Sequence, residues 1–117
     1  MKDKLDLATS YLFLNMAIKV LELDKQLILN GAFKIKEPYI TLINSLISKA
    51  IVQRRYFKKS MNENKVHVNF LYREGDFSYY EFIINKSKTV KCYFNPIIKK
   101  EVKKIIDELI SSNHQHS

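Results

Sequence analysis

Cysteine occurs once among the 117 residues, at Cys92, and glycine and proline occur twice each. A single thiol excludes an intrachain disulfide and any zinc site built from cysteines. So few glycines and prolines, beside 46% hydrophobic residues, exclude a disordered or low-complexity chain. A glycine-rich phosphate loop, a nucleophile elbow and an HExxH zinc motif are all missing. No internal repeat or interdomain linker is visible. Residues 1–112 therefore read as one domain, long enough to bury a core without cross-links, and 113–117 as a frayed tail.

Long apolar runs are missing as well. The opening stretch, MKDKLDLATSYLFLNMAIKV, has Asp3 and Asp6 where a basic leader would be. It is interrupted at Thr9, Ser10 and Asn15, and no small-residue cleavage site follows. Lys19 closes it short of the roughly 18 apolar residues that a membrane span needs. The expectation is a soluble cytoplasmic protein without a membrane span, the other reading being an uncleaved signal.

Arginine is scarce. The net charge is +8, yet of the 20 cations all but Arg54, Arg55 and Arg73 are lysine. Such a chain suits nucleic acid, an anionic membrane or an acidic protein. Lysine lacks the planar fork with which arginine reads phosphates and bases, so most of this charge also reads as a solvated coat. The cations cluster in residues 49–65 and 86–104, whereas residues 66–85 hold one cation, Arg73, against Glu74, Asp76 and Glu81. The abundance of lysine, isoleucine and asparagine reads as AT-rich codon usage rather than chemistry.

What is present is strong periodicity. Leu5, Ala8, Leu12, Met16, Val20, Leu23 and Leu27 recur at helical spacing and predict a helix over 3–30, with Asn30-Gly31 as a left-handed stop. Leu7, Tyr11, Leu14, Ile18, Leu21 and Ile28 widen its apolar face. Only Asn15, Lys19, Glu22 and Gln26 form a polar stripe, so such a helix is buried on several sides or lies against a second chain. The pattern leaves open a break near its middle. The segment AFKIKE reads as a short edge strand or an extended linker. Pro38 opens a second helix with Tyr39, Ile43, Leu46, Ala50 and Phe57 on its buried side, ended by the loop MNENK.

Two alternating runs follow. A three-residue loop, Arg73-Glu74-Gly75, would set even positions against even ones. One inner face would then hold Val66, Val68, Phe70, Tyr72, Tyr80, Phe82 and Ile84. A third strand, TVKCYF, is expected to bury Val90, Cys92 and Phe94 after the turn NKSK. Asn95-Pro96 caps a last helix that buries Ile98, Val102, Ile105 and Leu109. The predicted class is α+β: two N-terminal helices, a three-stranded antiparallel meander and a C-terminal helix, with the helices on one face of the sheet.

The outer face is then the candidate site. Leu71, Arg73, Phe77, Tyr79, Glu81, Lys91 and Tyr93, with His67, Asn69 and Ile83, would mix aromatic and charged groups as docking surfaces do. The functional expectation is a non-enzymatic regulator, inhibitor or accessory factor whose partner is another protein or a second copy of itself. The alternative is a nucleic-acid-binding regulator working through 54–59 and 99–104, with Arg54, Arg55, Lys58, Lys59, Lys99, Lys100 and Lys103 as its basic patch. A ribonuclease-like site from His67, Glu81, Arg73, Lys91 and Tyr93 is a weaker third reading, because only strand parity links those residues. No cofactor is expected. His114 and His116 are two ligands without a third and make no metal site.

Overall fold

The computed structural model describes residues 4–114. The order is α1 (Lys4–Asn30), α2 (Glu37–Glu63), β1 (Val66–Glu74), β2 (Phe77–Ile84), β3 (Ser87–Phe94) and α3 (Asn95–His114). It is an α+β fold whose sheet is an antiparallel meander, β1-β2-β3. The last helix runs through His114 and so takes in residues 113 and 114 of the expected tail; 115–117 lie outside the described residues.

Helix α1 is unbroken and touches every other layer. Its first half joins Ala8, Leu12 and Phe13 to Met61, Val66, Tyr80 and Phe82 in a cluster between helices and sheet. Its middle joins Leu14, Ile18 and Leu21 to Ile43, Leu46, Ala50 and Leu109 in a cluster among the three helices. Ile105 packs against both clusters. Ala8, Ala17 and Ala50 have no exposed surface, and their small side chains let the helix axes approach closely.

Helix α3 covers only part of the α1–α2 pair. Its Ser112 Oγ accepts a hydrogen bond from Lys49 Nζ at 2.7 Å, which places the end of α3 near the middle of α2. The first turn of α2, before buried Ile43, and the last turns of α1 extend past it as a two-helix hairpin. Tyr39, expected on the buried side, is therefore largely exposed, as are Leu23, Leu27, Phe33 and Ile35. The connection between the helices is a linker and not a strand. Gly31 is not left-handed. A Cβ there would sit 2.6 Å from the Phe33 ring and 3.0 Å from Leu27 O, so close approach explains the glycine. The segment MNENK is not a loop throughout: α2 continues to Glu63 and buries Met61, and left-handed Lys65 makes the turn.

Parity in the sheet differs from expectation at both turns. Val66, Val68 and Phe70 do oppose Ile84, Phe82 and Tyr80. The hairpin loop, however, has two residues, Gly75-Asp76, with Gly75 at a positive φ of 58°. The pairing shifts by one residue at Leu71, between Phe70 and Tyr72. That bulge absorbs the odd residue that a three-residue loop would have taken. Beyond it Tyr72 opposes Tyr79 and leaves the inner face. Phe70 stays on the inner side but remains exposed, because the hairpin overhangs the helices.

The second turn, Asn85-Lys86, also has two residues, both left-handed with φ 51° and 71°. It pairs Ile84 with Ser87 and hence Tyr80 with Lys91 and Ser78 with Tyr93. Odd residues of β3 therefore face the helices. Val90, Cys92 and Phe94, expected inside, lie outside and exposed. Tyr93 goes inward and meets Phe13 edge-on at 5.6 Å between ring centroids. Asn95 begins α3 but binds the sheet, its Oδ1 accepting from Ser78 Oγ at 2.6 Å.

Two stability changes follow. Phe82 is fully buried, so Phe82→Ala should lose about 3–5 kcal/mol in urea unfolding, while Tyr56→Ala at a 72% exposed position should lose under about 0.5 kcal/mol. Lys86→Gly removes a Cβ from the left-handed region and should raise stability by roughly 1 kcal/mol in the same assay.

Candidate functional site

The outer face of the sheet is built by pairs of directly opposed residues. Tyr72 on β1 stacks on Tyr79 of β2, with centroids 4.5 Å apart and planes 18° off parallel. Tyr79 in turn opposes Cys92 of β3, and Phe77 opposes Phe94 with centroids 5.4 Å apart. Glu81 opposes Val90, and Ile83 opposes Lys88. Tyr72, Phe77, Val90 and Phe94 are between 42% and 57% exposed. Three adjacent strands thus present an aromatic strip to solvent, bordered by Glu74, Glu81 and Lys88.

Of the surface residues expected from sequence, Phe77, Tyr79 and Glu81 do share this face. Arg73, Lys91 and Tyr93 do not. Arg73 opposes Ser78 on the helix side, Lys91 Nζ stands 5.9 Å from the centroid of the Phe82 ring, and Tyr93 is in the interior. Leu71 is the bulge residue. In their place the face gains Tyr72, Val90, Cys92 and Phe94, which a parity argument with the wrong turn lengths assigned to the core. The residues offered as an acid–base set are divided the same way: His67 and Glu81 lie on the outer face, and Arg73, Lys91 and Tyr93 on the other.

The basic residues form two groups. Arg54, Arg55, Lys58 and Lys59 line a cleft beside Tyr11. There Arg54 Nη1 donates to Asn15 Oδ1 at 2.9 Å, and Lys58 Nζ stands 5.6 Å from the Tyr11 ring centroid. Lys99 and Lys103 instead border Met16 and Val20, which lie about 140° and 180° round α1 from Tyr11 at 3.6 residues per turn. Lys103 is also paired with Asp107 at 3.0 Å. Lys100 is exposed on α3. Six of the seven residues therefore make two flanks and not one patch, and Lys100 lines neither.

Two phenols are perturbed. Tyr79 is held above its usual range chiefly by its hydrogen bond to Cys92, then by charge on the same thiol, with smaller contributions from lost solvent, Tyr72 and Glu74. Tyr80 is raised first by burial and second by Tyr93. Among the described residues no group of three His, Cys, Asp or Glu side chains is placed to hold a metal ion. The side chains of the His114–His116 pair fall outside that description. No described helix is long and apolar enough to cross a membrane.

The folded state keeps the Tyr80 proton more tightly than the unfolded chain does. That contribution is complete below the ordinary phenol value of about 10 and is lost as pH rises through the higher folded value. In chemical denaturation at pH 9 to 12, Tyr80→Phe should lose stability less steeply with rising pH than the parent protein. Equal slopes would refute this assignment.

Residues 1–114 match the family described as YhjD protein. A Bacillus subtilis (strain 168) protein, also YhjD, is 30% identical over 101 residues, covering 86% of this chain and 84% of its own. No solved structure matches. With nearly the whole chain matched to that family, the protein belongs to the YhjD family.

Proposed function

We propose that this is a cytoplasmic, non-enzymatic binding protein that acts as an inhibitor or accessory factor through contact with another protein. The observation supporting this reading is the uncovered aromatic strip Tyr72, Phe77, Tyr79 and Phe94 on the outer sheet face. Rings held by cross-strand stacking are largely preorganised, so docking on them costs little side-chain entropy. Aromatic residues of this kind dominate interface energy. The exposed apolar end of the α1–α2 hairpin is a second surface of the same character, and a second copy of the chain is the simplest occupant for it.

Nucleic acid fits less well. The strip is bordered by Glu74 and Glu81, and the cations divide between two flanks of α1, with Arg54 and Lys103 already engaged within the chain.

A photo-crosslinking residue at Tyr79 or Phe94, introduced in the cell, should yield a discrete protein adduct that the same residue at Tyr56 on α2 does not. A Phe77→Ser change beside the crosslinker should reduce that adduct about tenfold, as loss of a central anchor does. Equal adducts at Tyr79 and Tyr56 would defeat the reading. So would RNA or DNA binding that persists at physiological salt and disappears with Arg54, Arg55, Lys58 and Lys59 changed to alanine.

A further inference from the structure

On the helix side, remote from the aromatic strip, α3 and α1 leave a groove of about 630 Å³, within the size range of small-molecule sites. Its walls are Met16 and Val20 of α1, Ile98, Val102 and Ile106 of α3, and Tyr80 of β2. Its cations are Arg73, Lys99 and Lys103, and no carboxylate lines it. The cleft of 530 Å³ on the other side of α3 differs: it sets Glu101 and Glu108 beside Lys104, with Thr9, Ser10, Gln53 and Ser112 around them.

The polar groups gather where α3 begins. Ser78 and Asn95 line the groove there, and Arg73 enters from the end of β1. Arg73 Nε donates to Gly75 O at 3.2 Å, which leaves the terminal guanidinium nitrogens for another acceptor. Neither Arg73 nor Lys99 is ion-paired among the described residues. Asn95 Nδ2 is buried and has no hydrogen-bond acceptor, since Oδ1 alone is used by Ser78. A buried donor left without an acceptor is costly to the fold. At the first turn of α3 the Asn95 N–H is donated to Asp76 O at 2.7 Å and Pro96 has none, so that turn adds the positive end of the helix dipole rather than a row of free donors.

A purely apolar ligand would cover the walls and strip water from Arg73 and Lys99, Lys103 being paired with Asp107. A small anion would satisfy the cations and leave the walls wet. We propose that the groove binds an anionic amphiphile, a carboxylic acid with a straight acyl chain. Its carboxylate sits at Arg73, Lys99 and the start of α3. Its chain lies along Ile98, Val102 and Ile106 against Met16 and Val20. From Ile98 to Ile106 the α3 wall is about 12 Å long at 1.5 Å per residue, which suits a medium-length chain. This site is independent of the proposed protein-docking face, because its residues lie on the opposite side of the sheet.

The test is titration of the full chain with dodecanoate below its micelle concentration, followed by isothermal calorimetry and by amide and methyl NMR shifts. Dodecanol and acetate serve as the tail-only and head-only probes. Saturable dodecanoate binding is expected, with shifts at Val20, Ile98 and Ile106 and none at Phe77 or Phe94. Acetate should bind at least tenfold more weakly. Arg73→Gln with Lys99→Gln, both at exposed positions, should weaken dodecanoate about tenfold and leave dodecanol unchanged. Val20→Trp, which fills the groove from an exposed helix position, should abolish binding of both. Four outcomes overturn the proposal: shifts scattered over the surface lysines, equal affinity for dodecanol and dodecanoate, no effect of the double change, or binding only to phosphatidylglycerol vesicles.

Discussion

Helix α1 is the member on which the rest of the structure depends. One of its turns carries Phe13 into the sheet-side cluster, and the neighbouring turns carry Leu14, Ile18 and Leu21 into the helix-side cluster. Neither cluster closes without it, because α2 and α3 touch each other less than each touches α1. A small domain has little apolar area to spare. Burying one helix on several sides is an economical way to give three helices and a sheet a common core. The consequence appears at the far end. Where α3 stops, at Lys49 of α2, the helix that was central becomes half of an uncovered pair.

The second constraint is strand parity. A change of one residue in a turn exchanges the two faces of everything that follows. Here two such choices act in series. The bulge at Leu71 restores even-to-even pairing between the first two strands, and the two-residue turn at Asn85-Lys86 makes the third strand odd. Together they send Tyr93 inward and Tyr72, Val90, Cys92 and Phe94 outward. The aromatic face is thus a product of turn geometry as much as of composition.

Charge is distributed in keeping with these surfaces. Most of the described lysines lie on the three helices. The outer sheet face carries more acid than base. Of the basic residues, Arg73, Lys99 and Lys103 meet at an apolar groove without an acid among its lining residues, while Arg54 and Lys58 are held against Asn15 and Tyr11. Spatial grouping, rather than total charge, distinguishes these two sets of cations.

The sequence alone was enough for the number, type and order of the elements, since helical spacing in Leu5 to Leu27 and alternation in Val66 to Ile84 each persist over many residues. It was enough too for the core of the second helix at Ile43, Leu46 and Ala50, and for Phe82 and Val66 in the sheet. It placed Phe77, Tyr79 and Glu81 on one outer face because their parity is set within a single strand. Tertiary structure decided what depends on relations between elements: the bulge at Leu71, the face of β3, the exposure of Tyr39 beyond the end of α3, and the separation of the two basic groups. It also decided the meeting of Arg73 on β1 with Asn95 and Lys99 on α3, more than twenty residues further along the chain. Periodicity records how one element meets solvent and core, and it carries no information on which residue of a neighbouring element will stand opposite.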